Sequence, residues 1–588
     1  MNIFHYISKD YLLNNPQKRI FMKPLFNTAL LAFFIINFSF TLSAQDIIFD
    51  WQKILSNGMD NRAYCIANDT SGNIYIDGGF HGTLDFCGTQ LHASTTNHGF
   101  ILKLNQTGQM IWVKQIKGSY IFPRTICFDK NNDLYVAGYF SSWFSIDDTI
   151  IHTNNTDTTY GDYMFIAKFD TDGNLKWAKG TQGNNYNWAG EGPFRLLAVD
   201  TDNNLLITGR CREEIQYFDT SITITTLDSM VNPMYPYEPY WQLYHKDTAF
   251  IAKYSPEGQK LWIKPTSGYP CAMRLDCSGN IVITGTFTQP AYFDTIYIEP
   301  TAWSTAYIVK YDSLVKVLWA ERMGGESFNY GYDVLCDNLN NIYCTGLMSG
   351  NDIIFNETIY FSAFQEGFLV KYNSIGIVKW VIPIGTSHIT HSQNNTNLGV
   401  SLAMDKMNKI FLLGSFKDNM IYGGEHLVSG TRNGTFLMKI DTSGNVLKAG
   451  QFVDTTWAFP YQIIVNKDSN IYYCGQMYIN TWNNNIIISK IDNELPLSVQ
   501  TEGFTNTAYK IFPNPVNKYF YISYTGSHNN ESVISLIDIW GKVVYKAEIS
   551  GKLFEVDTSN LSGGLYVLLI SDNETIFQYK IIKLEHYE

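Results

Sequence analysis

Six aspartates recur at one place in the pattern of this chain, Asp69, Asp129, Asp200, Asp276, Asp337 and Asp405, and an acid repeated so regularly is the first candidate for chemistry. Asp129-x-Asn131-x-Asp133 and Asp170-x-Asp172-x-Asn174 have the oxygen spacing that opens a calcium-binding loop. Neither runs on to the distal Glu that completes such a loop, and a residue wanted in every repeat is more simply a turn former whose side chain accepts backbone N–H groups. No cofactor or metal site is therefore expected, with calcium kept as the alternative. A second candidate is cationic. Counting back fourteen residues from the glycine that closes each repeat gives Tyr64, Arg124, Arg195, Cys271, Tyr332, Val400 and Tyr461. Arg124 and Arg195, side by side in that series, are of the type that clamps a carboxylate or sulfate, unless acids such as Glu191 take them instead.

The third candidate is aromatic. Segments that do not repeat are rich in Tyr, Trp, Phe and amides: Tyr120 and Phe122, 184–188 with Phe194, Tyr269, 328–332, 388–395, 457–461, and an insertion at 234–244. Rings of low rotamer entropy on exposed loops are what binding surfaces use. The candidate ligand-binding set is Arg124, Arg195, Trp188, Tyr237, Tyr240, Trp241, Tyr330, Tyr332, Trp457 and Tyr461. Catalytic constellations are missing from the local sequence: there is no nucleophile elbow, HExxH helix, phosphate loop or sialidase-type Asp box. No catalytic residue is named, and a binding protein is expected rather than an enzyme. A hydrolase or lyase assembled from distant loop carboxylates is the alternative, and a surface-layer spacer is a third reading.

The elements that carry these residues form a repeat with a period of about 60–75 residues. Each unit opens with Asp, turns, and runs through an apolar strand to Gly, as in Asp69-Thr-Ser-Gly-Asn-Ile-Tyr-Ile-Asp-Gly78; the copies fall at 69–78, 129–138, 200–209, 276–285, 337–346, 405–414 and 466–475. A second hairpin follows, in which a Lys-bearing strand turns into one centred on Trp, as in 165–177 and 250–262. Those tryptophans, at 51, 112, 177, 262, 319 and 380 with Leu447 in degenerate form, read as packing between units rather than as a sugar-stacking array. Two hairpins make a four-stranded antiparallel blade, and blades repeated around an axis protect their sheet edges. The seventh unit lacks its Trp strand, while Trp51-Gln-Lys-Ile-Leu stands unpaired before the first, so the N-terminal segment is expected to pair with 486–491 and close the ring. The expected fold is all-β: a seven-bladed β-propeller over 45–496, with the N-terminal strand closing the last blade, then a linker at 497–508 and a small Ig-like β-sandwich at 509–588.

Bulk properties agree. A chain of 588 residues exceeds one core of roughly 250–300. Only 16 % of residues are charged against 45 % hydrophobic, and 39 Tyr with 37 Phe favour strands over helices. The formal charge of −12, without a basic run, argues against nucleic acid and anionic membrane surfaces. Nine scattered cysteines show no zinc spacing. Cys336 and Cys344 flank a tight hairpin and are the one pair considered for a disulfide, against free buried thiols.

The repeat resembles the bacterial seven-bladed propeller repeats known under the SBBP name, whose core is Asp-x-x-Gly-Asn-Ile/Val-Tyr-Val-x-Gly; the resemblance covers about 61–492 and implies fold rather than function. The Trp hairpin also looks like the tryptophan-docking repeat of quinoprotein dehydrogenases, but the vicinal Cys pair and eighth blade of those proteins are missing, so no quinone is implied. Beyond Pro496 a different pattern begins. Pro513-Asn514-Pro515, Asp538-x-x-Gly541, Leu561-x-x-Gly564-x-Tyr566 and the terminal strand from Tyr579 through Lys580 to Lys583 closely resemble the type A sorting domain of the Bacteroidetes type IX secretion system. That resemblance implies handling by the type IX machinery and a secreted or outer-surface location reached through the periplasm. Residues 1–44 read as a signal peptide: Lys18, Arg19 and Lys23 are basic, 25–42 is apolar, Leu42-Ser43-Ala44 offers a cleavage site, and Met22 is a candidate true start. No membrane span is expected after cleavage. The ligand is expected to be glycan or protein.

Overall fold

The computed structural model describes residues 45–491 and 509–583 with interruptions, the longest at 154–162, 182–194, 224–247 and 386–396. The signal peptide, the linker, Trp188, Glu191, Tyr237, Tyr240, Trp241, Pro513, Asn514, Pro515 and Gly541 lie outside the described residues, as do the side chains of Trp457, Asp538, Gly564 and Lys580. Every regular element among the described residues is a strand. No helix among the described residues is long and apolar enough to cross a membrane.

Burial follows position in the sheet. Middle strands such as Leu134–Phe140, Tyr163–Phe169, Ile281–Phe287 and Thr305–Tyr311 are buried at every residue, because neighbours cover both faces. Outer strands such as Phe49–Leu55 alternate, in keeping with the two-residue period of the pleat. The strands group into antiparallel sets of four, and the second set shows the plan: Phe122–Phe128, Leu134–Phe140, Tyr163–Phe169 and Leu175–Gly180, in that order from the inside out. The innermost strands of successive sets are Arg62–Asn68, Phe122–Phe128, Leu197–Val199, Tyr269–Leu275, Tyr330–Cys336, Leu398–Met404 and Trp457–Val465. Each touches the next, and the last touches the first, so the ring closes.

Phe49–Leu55 completes the last set, antiparallel to Asn484–Ile491 with Lys53 opposite Ile488. Just before it, Gln45–Asp46 lies parallel to Val446–Gln451, so the start of the chain covers the outer edge of one blade before joining the next. Apolar cores sit between blades rather than within them. One holds Ile76 and Leu102 of the first blade against Tyr472 and Ile488 of the last, and equivalent clusters fill the other joints.

The tryptophans dock across these joints. Trp51, Trp112, Trp177, Trp319 and Trp380 each donate Nε1–H to a carbonyl in the next blade's outer turn, at 3.0–3.3 Å. The rings cover that turn's glycine, for example Gly376 under Trp319 with φ +87°. At the joint after Trp262 the turn carries Val315 at φ 62° in place of glycine, and Lys264 Nζ reaches the Leu314 carbonyl instead. Leu447 replaces Trp for a physical reason: the last blade takes its outer strand from the N-terminus, so that blade has no outer turn to dock on.

The C-terminal region pairs Tyr509–Phe512, Tyr519–Tyr524 and Leu553–Asp557 in one sheet and four strands from Ser532 to Lys583 in another. Val516, Phe520, Ile534, Leu536, Tyr566 and Ile581 share the core between them. Tyr566 is buried and donates its hydroxyl to the Ser562 carbonyl at 2.9 Å, and Lys583 is buried beside Val516.

Candidate functional site

The recurrent acids build one rim. In Asp69, Asp129, Asp200, Asp276, Asp337, Asp405 and Asn466, Oδ1 accepts the backbone N–H groups two and four residues later, at 2.8–3.0 Å. In five of these aspartates the second oxygen has a partner as well, Asp69 taking the Asn73 Nδ2 at 2.8 Å. Lys168 meets Asp129 at 3.0 Å, Lys253 meets Asp200 at 2.6 Å and Lys310 meets Asp276 at 2.7 Å, while Tyr343 donates to Asp337 at 3.0 Å. Burial opposes ionisation of Asp276, yet the Lys310 ammonium and the Asn280 amides hold its carboxyl below the usual range. These acids and lysines act as a scaffold, with the Oδ1 of every turn committed to its own backbone.

The opposite rim carries the connections that do not repeat, and a bulge in each inner strand shapes its centre. In six blades the residue fourteen before the motif glycine is the one skipped by the register: Tyr64, Arg124, Cys271, Tyr332, Val400 and Tyr461. The glycine itself explains why. A Cβ on Gly346 would lie 1.9 Å from the Tyr330 carbonyl, and one on Gly285 would lie 2.0 Å from that of Tyr269, so the bulge brings backbone against backbone. Arg195, the seventh position, instead forms a parallel bridge with Ala272, donating its N–H to the Cys271 carbonyl at 3.0 Å.

At the mouth of the channel these side chains meet. The Arg124 guanidinium lies 3.9 Å from the centre of the Tyr64 ring, and Tyr64 makes an edge contact with Tyr461 at 5.7 Å. Tyr330 and Tyr332 stack at 5.9 Å with parallel planes. Two expectations change here. Tyr461 is 1 % exposed, so its ring belongs to the interior and not to a ligand surface. Arg195 is taken up internally, by Asp333 at 3.4 Å, Ser401 Oγ at 3.0 Å and the Ile463 carbonyl at 2.8 Å. Its acid is Asp333, which the sequence reading did not single out.

One step along from the bulge, side chains close the free inner edges. Cys65 accepts Ile126 N–H, Asp333 accepts Leu402 N–H, Ser401 accepts Ile463 N–H and Gln462 accepts Ile66 N–H, each from the next blade. Where Ala272 has nothing to offer Val334, Asp333 accepts that N–H itself at 2.9 Å. The thiols Cys336 and Cys344 are both free, because Cys344 stands opposite Val334 and Cys336 opposite Ile342; burial pushes each up to about 12.

Further out on the same rim, Trp303 and Phe328 present near-parallel rings 6.4 Å apart, at 53 % and 47 % exposure. Their backbones are fixed: Ser304 bridges Phe328, and the fully buried Asn329 donates to the Ser304 and Gly325 carbonyls at 2.9 and 3.0 Å. A cleft of about 100 Å³ lies next to them in the chain, lined by Thr301, Arg322, Gly324, Gly325, Glu326 and Ile354. A second exposed pair, Tyr292 and Tyr297, stands on the preceding hairpin at 4.9 Å, with Tyr297 donating to Glu299 at 2.7 Å. Sequence reading caught Phe328 but passed over Trp303, whose partner and cleft come from other segments. Its position outside the regular Trp series was the available signal.

Residues 510–584 match the model of the secretion system C-terminal sorting domain family. That domain marks the chain for export by type IX secretion, to the cell surface or beyond, and implies interaction with that machinery. The chain is similar to an uncharacterised WD repeat-containing protein of Acanthamoeba polyphaga mimivirus, 22 % identical over 395 residues. The match covers 55 % of this chain and 27 % of that relative, so this chain spans about a quarter of the viral protein's length. Among solved structures, a protein of unknown function from Bacteroides caccae aligns at 12 % identity over 56 % of this chain and 93 % of its own, with a TM-score of 0.29. A glucose dehydrogenase aligns at 8 % identity over 74 % of this chain and 99 % of its own, with a TM-score of 0.30.

Proposed function

We propose that the ring is a recognition module displayed outside the cell and that its ligand is carbohydrate, bound on the Trp303–Phe328 platform. The observation that carries this reading is that platform: two half-exposed, near-parallel rings whose backbones are locked by a buried Asn. Fixed rings pay little conformational entropy on binding, and the C–H face of a sugar stacks on them. The adjoining cleft supplies the other half of sugar recognition, since Thr301, Arg322 and Glu326 are the donor and acceptor types that hold hydroxyls. Tyr292 and Tyr297 extend the surface along the same segment of chain.

Isothermal titration against a panel of soluble polysaccharides tests the reading. Saturable binding is expected without release of reducing ends, and Trp303→Ala with Phe328→Ala is expected to weaken it by at least about tenfold, roughly 1.4 kcal/mol. Absence of binding across the panel, or binding untouched by both substitutions, overturns it.

A further inference from the structure

Four half-buried arginines on or beside the inner strands, Arg62, Arg124, Arg195 and Arg274, meet only two carboxylates within 4.0 Å among the described residues. Arg62 has Asp60 at 3.1 Å. Arg195 and Arg274, however, share a single carboxylate, that of Asp333, at 3.4 and 3.9 Å. Asp333 is almost wholly buried and already accepts two backbone N–H groups and a contact from Ser401 Oγ at 3.2 Å. Arg124 has no carboxylate within 4.0 Å among the described residues, and its Nε and Nη1 are buried without an acceptor there. Only its π face is occupied, by Tyr64 at 3.9 Å and Phe122 at 5.6 Å. Asp77, fully enclosed in the second strand of the first blade, feels the charge of Arg124; burial holds its carboxyl well above the usual range, against the Cys65 N–H and that charge. Burial together with Arg195 also pulls Arg274 down to about 10.

Arg124 is half-buried, and two of its three guanidinium nitrogens, Nε and Nη1, are shut off from water without an acceptor among the described residues, an unfavourable arrangement that a small anion relieves. We propose that the channel mouth binds a small oxyanion, a carboxylate or sulfate, through the free guanidinium edge of Arg124. The Tyr64 ring under Arg124 fixes the guanidinium plane and leaves its in-plane N–H groups for the ligand. This site is separate from the Trp303–Phe328 platform and stands or falls independently of it.

The test is isothermal titration of the full chain with sodium sulfate and, separately, sodium acetate, at constant ionic strength. One saturable site is expected. Arg124→Gln is expected to weaken it at least about tenfold, and Arg124→Lys, which keeps the charge but loses the fork, to fall between. Near-UV circular dichroism on each variant confirms the fold, and a bromide-soaked crystal is expected to show an anomalous peak beside Arg124. Sulfate binding that Arg124→Gln leaves unchanged, or the lack of any saturable anion heat, overturns the proposal. So does a tenfold gain on Glu191→Gln, which would assign Arg124 to that residue.

Discussion

On one rim of the ring seven Asx turns repeat the same pair of hydrogen bonds, and the tryptophans dock on adjacent turns at the same contacts from joint to joint. On the other rim each connection is built differently: a stacked Trp303–Phe328 pair, a Tyr292–Tyr297 hairpin, a buried Asn329 knot, an arginine stacked on Tyr64. The uniform rim commits the Oδ1 of each Asx turn to its own backbone, with Asn466 Nδ2 left unsatisfied among the described residues. The irregular rim leaves rings exposed and guanidinium nitrogens unsatisfied among the described residues. Regular geometry here is the mark of scaffold, and departure from it is where binding chemistry collects.

The largest way to break that comparison is to open the scaffold. Deleting residues 45–55 strips Asn484–Ile491 of its outer partner and removes the Trp51 dock on Gln106. Loss of the cooperative thermal transition and of near-UV dichroism from the ring is expected, because two inter-blade cores then face water. A truncated chain that melts cooperatively within a few degrees of the parent would show that the ring does not depend on this closure.

Two glycines separate the rims more finely. Gly346→Ala places a methyl 1.9 Å from the Tyr330 carbonyl at the bulge that shapes the channel mouth, and is expected to cost about 3 kcal/mol by chemical denaturation. Gly279→Ala lies in an Asx turn with φ +78° and open space around it, and is expected to cost only about 1 kcal/mol. Equal costs would mean that the bulge relaxes and that its glycine is not set by close approach.

These contrasts also explain what the sequence disclosed. Asp69, Gly78 and their copies are legible because each repeats one local solution, an Asx turn or a backbone approach. The closing strand is legible because Trp51 lacks a unit of its own. The count to the bulge residues worked because the spacing from turn to glycine is fixed. What escaped depends on contacts between distant segments. Asp333 takes Arg195 across 138 positions, 333 minus 195, and nothing local in either residue announces the pair. Asp77 was visible in principle, since Thr208, Thr284 and Thr345 hold the same place before the motif glycine and donate to the third strand, where Asp77 substitutes a carboxyl. Trp303 gains its meaning only from Phe328, which arrives from another connection.

Asp77 gives a smaller effect with a definite sign. Burial raises its carboxyl in the folded ring above the ordinary aspartate value of about 3.9 that the unfolded chain keeps, so between those two values the folded state binds more protons and stability falls as pH rises. Asp77→Asn removes this dependence. The variant is expected to melt higher than the parent at pH 8, with the gap narrowing as pH falls towards 4. A variant that melts lower at pH 8 would mean the carboxylate is ionised and serves Arg124, which would also weaken the case for an anion there.

The mildest probe labels the two rims without disturbing either. Cys87 sits at φ 53° in the hairpin turn between Phe86 and Thr89 on the irregular rim, and Cys277 follows Asp276 in an Asx turn on the regular one; both are exposed. Cys65, Cys271, Cys344 and Cys474 are buried, and burial raises each thiol, so thiolate is scarce as well as inaccessible. Maleimide is therefore expected to modify Cys87 and Cys277 in the native chain and to spare those four until denaturant is added. Between the two, Cys277 is expected to react more slowly. Its N–H is held by Asn340 at 2.9 Å and its sulfur lies 3.7 Å from the Asp337 carbonyl, so the turn of the next blade restrains it, whereas Cys87 stands in a turn that packs on nothing equivalent among the described contacts. Equal rates, read by mass spectrometry of peptides against time, would place the regular rim's turns in the same dynamic class as the hairpins opposite and erase the difference from which the recognition face was assigned.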